Sequence, residues 1–175
     1  MLRLESPDKH HQAMWEEMIS TWKWLEDTSD ISPSTLFKYE DYVDFLKYLE
    51  DISLWKIPGR VKASFYFLLW DDTKILWAIE IRHNLDSPIL RDFWWHIGYG
   101  VRPDERSKWY ATQMLALWLQ EAKKLWIEKV LISCHPDNTA SQKVILKNGW
   151  VYEKTVEYID EWKYAWTYMR NWIEL

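Results

Sequence analysis

The stretch WHIGYGVRPDERSKWYATQML, residues 95–115, decides the fold. Its first part, WHIGYGV (95–101), has the aromatic and branched composition of a strand. RPDERSK (102–108) is a polar, basic turn, and from about Lys108 to Leu125 apolar residues recur at helical spacing. Ala111, Leu115, Trp118, Leu119, Ala122 and Leu125 fall on one stripe. EKVLISC (128–134) follows as a short apolar run, the pattern of a buried strand. A strand–helix–strand unit of this kind predicts parallel strands with a right-handed crossover. Ligands in such sheets sit beyond the carboxyl ends of strands, and the turn 102–108 lies at such an end.

Outward from this unit the order is regular. Ser6-Pro7 reads as a helix start, and Met14, Trp15, Met18, Trp22 and Leu25 then recur at helical spacing. A polar loop (27–37) leads to a second helix, EDYVDFLKYLED (40–51). KASFYFLLW (62–70), the turn DDTK and ILWAIEIRH (75–83) read as a β-hairpin. Downstream, NTASQKVILKN (138–148) is a short helix capped by Asn138, and WVYEKTVEYI (150–159) and YAWTYMRNWIEL (164–175) are final strands. A further strand is expected at Leu2 to Glu5.

Composition bounds the function. The 175 residues suit one domain, with no linker or internal repeat. A net charge of −5 disfavours nucleic-acid and anionic-membrane partners. The single cysteine, Cys134, excludes an internal disulfide and fits a reducing, cytoplasmic setting. No apolar run is long enough to span a bilayer, and the five histidines show no metal-ligand spacing. Two counts are abnormal: 4 glycines, where ordinary usage gives about 12, and 15 tryptophans.

GYGVRPDERSKWYATQML resembles the cofactor motif of the GNAT superfamily, the acyl-CoA-dependent N-acyltransferases. That motif runs Gln/Arg-x-x-Gly-x-Gly/Ala from a strand into a helix. Arg106-Ser107-Lys108-Trp109-Tyr110-Ala111 matches its ends and has Trp109 in place of the central glycine. Asn138 to Ser141, followed by VILKNG, resembles the family's second cofactor segment. WAIEIRH, WWHIGYGVRP and NWIEL are similar to stretches of the small bacterial acetyltransferases. The resemblance implies an α/β fold: a mixed, mostly antiparallel twisted sheet of six to seven strands flanked by about four helices, forming one domain over 1–175.

The resemblance also implies acetyl transfer from acetyl-CoA to an amine of a small molecule or peptide, by a monomer or homodimer. Tyr99, Val101, Arg106, Ser107, Lys108, Trp109, Tyr110, Ala111, Asn138 and Ser141 are the implied cofactor-binding residues. Physical chemistry agrees, because a helix start offers unpaired N–H groups and partial positive charge to a pyrophosphate. Arg102, Arg106 and Lys108 would add full charges. Transfer needs a base to take the amine proton. Glu80 and His96, on strands expected to face the acceptor cleft, are the candidates, with His83 and Tyr99 behind them. The bland alternatives are an outward strand residue for Glu80 and a core histidine bonded to backbone for His96. Many relatives carry an acid tyrosine where this chain has Ile145. Cys134 beside His135 makes a poor nucleophilic pair, since adjacent strand residues point to opposite faces.

The family would lead one to expect glycine where Trp77, Trp94, Trp95, Trp109, Trp126 and Trp150 stand, and Trp55 and Trp162 fit the same pattern. The pattern reads as a relative whose glycines have been systematically replaced by tryptophan. The alternative to an enzyme is then a non-catalytic scaffold of the same descent, its cofactor cleft blocked by indoles. Either these positions do not need positive φ, or indole burial offsets the strain.

Overall fold

The structure is a computed structural model that describes residues 2–22, 32–86, 90, 96–159 and 165–175. In chain order its elements are β1 (Leu2–Glu5), α1 (Gln12–Ser20), α2 (Tyr42–Ser53), β2 (Ala63–Trp70), β3 (Lys74–Arg82), β4 (Ile97–Val101), α3 (Tyr110–Lys124), β5 (Lys129–Cys134), α4 (Thr139–Lys147), β6 (Val151–Ile159) and β7 (Ala165–Glu174). Every one of these coincides with an element expected from sequence, within a few residues at each end. The fold is the expected mixed α/β arrangement.

The strands form a sheet of order β1-β2-β3-β4 and a second of order β5-β7-β6. β1 with β2, β2 with β3, β5 with β7 and β6 with β7 all pair antiparallel. One expectation needs correction. β4 and β5 belong to separate sheets rather than forming a parallel pair within one sheet. β5 instead pairs antiparallel with β7, in register from Lys129↔Glu174 to Cys134↔Met169. The start of the first helix is also different. Ser6-Pro7 lies in extended chain, and Asp8 caps a 3-10 turn at Lys9–His11 that leads into α1. The Asp8 carboxylate accepts the His10 N–H, while the His11 ring accepts the Asp8 N–H, a reciprocal cap that outcompetes the weaker serine signal.

The residues divide into two compact units. The first comprises Met1–Arg82 and Gly98–Tyr110, the second His83–Ile97 and Ala111–Leu175. The chain passes between them three times, so neither unit is a continuous segment.

In the first unit α1 packs on β3 and α2 on β2. The shared core is aromatic: Phe45 of α2 meets Trp15 at 5.7 Å, Phe65 at 5.4 Å and Phe67 at 6.3 Å between ring centroids. The i, i+3 spacing of Tyr42, Phe45 and Tyr48, all buried, is what commits α2 to this face. Asp41 starts that helix by accepting the Val43 and Asp44 N–H groups. Phe45→Ala would cost about 3–5 kcal/mol.

In the second unit α3 buries Met114, Leu115, Trp118 and Ala122, and β5 buries Val130 to Cys134. Trp118 meets Trp150 at 6.4 Å. Asn148 ties the two helices of this unit, donating to the carbonyls of Val144 and Thr112. Among the described residues no helix is long and apolar enough to cross a membrane.

Candidate active site

The turn between β4 and α3 is built by a short 3-10 helix at Pro103–Glu105 and two left-handed residues. Ser107 has φ 64° and Trp109 φ 66°. Alternation of left-handed and ordinary residues is what forms a backbone concavity for anions. Among the described residues, neither Ser107 nor Lys108 gives its backbone N–H to an acceptor. α3 then begins at Tyr110, and its first N–H groups have no partner within the helix. The Trp109 side chain is 65% exposed. At this position the residue is mostly exposed, and its backbone holds the left-handed conformation that favours glycine.

The basic side chains of the turn are used differently from expectation. Arg102 was expected to add charge for an anion. Instead it is buried and bonded to Glu17 and Asp104. Lys108 pairs with Glu105 at 2.9 Å, and Glu105 also takes Lys74 at 2.5 Å. The Arg106 Nε donates to the Val101 carbonyl at 3.3 Å, and its guanidinium lies 5.2 Å from the Trp22 ring. Arg106 is exposed, and its two terminal nitrogens meet no acceptor among the described residues.

Tyr99 and Val101 lie on β4, the last strand in its sheet order, so the backbone groups on its far side are not used by that sheet. The Tyr99 ring stacks on Trp77 at 5.3 Å. The Tyr110 ring sits 5.9 Å from Trp70. These residues, with Arg106, Ser107, Lys108 and Trp109, fall in the first unit, and Ala111, Asn138 and Ser141 fall in the second. Asn138 caps α4 as expected, its side chain accepting the Ser141 N–H at 3.0 Å. That carboxamide oxygen and that N–H are therefore spent on each other.

The two candidate bases have contrasting surroundings. Glu80 of β3 is buried, and its Oε2 accepts the Thr35 hydroxyl at 3.0 Å. Arg82 Nη2 lies 3.7 Å from its Oε1. Thr35 was not singled out in the sequence; nothing in a polar loop marks a serine or threonine as the partner of a distant strand carboxylate. His96 is also buried, in the second unit. The ring Nδ1 accepts the Leu131 N–H at 3.0 Å, and the His96 main-chain N–H donates to the Leu131 carbonyl at 3.1 Å. A neutral ring that accepts at Nδ1 carries its proton on Nε2. In this geometry His96 has no lone pair left to take a proton.

Burial pushes the Cys134 thiol up to about 11, against the thiolate that a nucleophile needs. The His135 ring is occupied 4.6 Å from Tyr168. Ile145 is fully buried in α4. Trp94, Trp95 and Trp162 lie outside the described residues.

A family model described as an acetyltransferase (GNAT) domain matches residues 2–151. No curated protein matches the chain by sequence. Among solved structures, the microcin C7 self-immunity acetyltransferase MccE, in complex with acetyl-CoA and AMP, is 16% identical with a TM-score of 0.71, covering 99% of this chain and 92% of that one. RimL, the ribosomal L7/L12 alpha-N-protein acetyltransferase in complex with coenzyme A, is 18% identical with a TM-score of 0.68, covering 99% and 94%. The ribosomal-protein-S5-alanine acetyltransferase from Vibrio fischeri is 13% identical with a TM-score of 0.71, covering 99% and 92%. At these identities the likeness is one of fold.

Proposed function

The chain belongs to the GNAT acetyltransferase family, and from that premise we propose that it moves an acetyl group from acetyl-CoA to a primary amine of a small molecule or peptide. Residues 1–175 act as one acetyltransferase domain in this reading, supported by a chain that passes between its two compact units three times. The observation that carries the function is the turn itself. Left-handed Ser107 and Trp109 lead into the N-terminus of α3, with Trp109 mostly exposed.

In the reaction the amine nitrogen attacks the thioester carbonyl. A C–N bond forms, the C–S bond breaks, the amine gives up a proton, and the coenzyme leaves as a thiolate that is then protonated. This chain's residues have separate parts in that sequence. Backbone N–H groups of residues 107–111 and the free guanidinium edge of Arg106 meet the pyrophosphate. The far edge of β4, around Tyr99 to Val101, polarises the acetyl carbonyl as negative charge develops on its oxygen. Glu80 takes the amine proton, directly or through water, with Thr35 fixing its orientation. His96 can donate from Nε2 but is poorly set to accept, so Glu80 is the better base.

Acceptor choice within the primary amines follows from no motif. MccE and RimL are, by their names, a microcin self-immunity acetyltransferase and a ribosomal alpha-N-protein acetyltransferase, so the same fold serves different roles.

The test has two arms. Titration calorimetry measures acetyl-CoA uptake, and a thiol-release assay with a panel of small amines and peptides with free N-termini measures transfer. Uptake and release together support the enzyme. Silence in both favours the blocked scaffold. Glu80→Gln should lower kcat roughly 100-fold or more while leaving acetyl-CoA uptake intact. An unaltered kcat in that variant removes Glu80 from the role. Trp109→Gly should tighten acetyl-CoA binding. Equal binding by both chains means that the exposed indole costs the site nothing.

A further inference from the structure

The Arg102 side chain is 1% exposed, yet it stands at the head of a turn proposed to bind an anion. A guanidinium has five N–H donors, and every one is accounted for. Nε donates to Asp104 Oδ1 at 2.7 Å. Nη1 donates to Glu17 Oε2 at 2.6 Å and to the Ile75 carbonyl at 3.0 Å. Nη2 donates to Glu17 Oε1 at 2.5 Å and to Asp104 Oδ2 at 3.1 Å. The main chain is held as well, with the Arg102 N–H on the Leu76 carbonyl and the Arg102 carbonyl taken by the Glu105 N–H. No donor is left for a phosphate.

The acceptors come from three places: α1 through Glu17, β3 through Ile75, and the turn itself through Asp104. One side chain thus pins the start of the turn to a helix and a strand. Breaking such a pair from one side is costly, because it leaves a buried charge without its partner.

We propose that Arg102 is a positioning residue for acetyl-CoA capture, holding the turn 102–109 in its anion-accepting shape from inside the fold without touching a phosphate. This rests on the acetyl-CoA reading above. Arg106, and Lys108 with two donors beyond its bond to Glu105, are the cations that face the ligand.

A sign change separates a strut from a ligand. Removing the Glu17 charge near a bound polyanion should, by electrostatics alone, strengthen binding or leave it unchanged. If Arg102 is a strut, Glu17→Gln loosens the turn and weakens binding instead. Asp104 stays bonded to Arg102 in this variant and Glu17 is half-exposed, so the buried charge keeps a partner. The expected result is a Kd for coenzyme A, by titration calorimetry, that rises about fivefold in Glu17→Gln and about tenfold or more in Arg102→Lys. The KM for acetyl-CoA rises with them, and by more than kcat falls. Arg106→Ala weakens binding through lost contact and serves as the reference.

A Kd unchanged or lowered in Glu17→Gln overturns the proposal. So does an unchanged Kd in Arg102→Lys, where the charge is kept and the five-donor geometry is lost. A lower melting midpoint with unaltered Kd in both marks a purely structural tie and overturns it too. A wild-type chain that takes up no coenzyme A overturns the acetyl-CoA reading first, and is seen before any variant is made.

Discussion

The ends of α3 and α4 are closed by the same backbone device with different residues. At α3, Trp126 gives its N–H to Lys123 and Ile127 reaches back to Ala122. At α4, Gly149 gives its N–H to Leu146 and Trp150 reaches back to Ile145. Both pivot residues are left-handed, with φ 59° at Trp126 and 82° at Gly149. Both are followed by a buried apolar residue, the contact that normally accompanies this cap. The glycine adopts its angle freely, whereas the tryptophan does so against a penalty of about 1–2 kcal/mol, with 92% of its surface exposed. The cap is therefore fixed by the helix end and the apolar anchor after it, and the pivot residue conforms.

The tryptophans divide on this point. Trp55, Trp109 and Trp126 hold positive φ, and all three are exposed. Trp77 and Trp150 are buried and do not hold positive φ. Burial thus does not offset strain at the same residue. The left-handed positions are exposed, and the buried ones have no left-handed φ. The largest expected effect follows from this. Replacing Trp55, Trp109 and Trp126 together by glycine should raise stability by about 3 kcal/mol, from roughly 1 kcal/mol at each separate site. For a chain of this length that is a rise of roughly 6–12 °C in melting midpoint. A midpoint unchanged in a calorimetric scan would mean that left-handed tryptophan costs little here.

The reverse exchange comes next. A Cβ built on Gly149 meets only Ile173 Cδ1, at 3.9 Å. Gly149→Ala therefore tests backbone conformation without a steric collision, and should cost about 1–2 kcal/mol in denaturant titration. Trp126→Gly alone should return about 1 kcal/mol. Its indole is nearly all exposed, so the same variant should also remove a fluorophore open to acrylamide. A gain absent at Trp126 alongside a loss present at Gly149 would show that the two caps differ in more than the pivot.

Much of this was legible before any coordinates. The strand–turn–helix at 95–125 and the Asn138 cap are local signals, and local signals survive into the fold. The expected parallel pairing of β4 with β5 was not, because strand partners are chosen by long-range packing that no spacing encodes. Within the candidate site, the strand end near Val101 and the helix start near Tyr110 followed from the pattern, whereas the left-handed φ of Ser107 and Trp109 did not. The inward turn of Arg102 did not, since Glu17 lies 85 residues away in sequence. Nor did the Thr35–Glu80 bond, which spans 45 residues. Retained Gly98 was equally silent, though a Cβ there would collide with Ser32 Oγ.

The left-handed residue just before α3, Trp109, sets the smallest and sharpest contrast. The caps at Trp126 and Gly149 are held by backbone bonds and apolar anchors, neither of which titrates. The turn before Trp109 is held by carboxylates. The Arg102 hydrogen bonds hold Glu17 below the usual carboxylate range. Burial works upward on Asp104 and Glu105, but bonds to Arg102, and to Lys74 and Lys108, outweigh it and leave both lowered. Groups with lowered folded values contribute stability that is present above the unfolded carboxylate range, about 4, and is lost as pH falls through the folded values. Partial exposure and screening keep each contribution small. Acidification should therefore loosen 102–109 locally before the helix ends open. Hydrogen exchange should show protection of the bonded turn amides, Arg102, Glu105 and Arg106, falling below pH 4 while protection at 126–127 and 149–150 holds. If all three segments lose protection together, the charge network is not what distinguishes the turn from the caps.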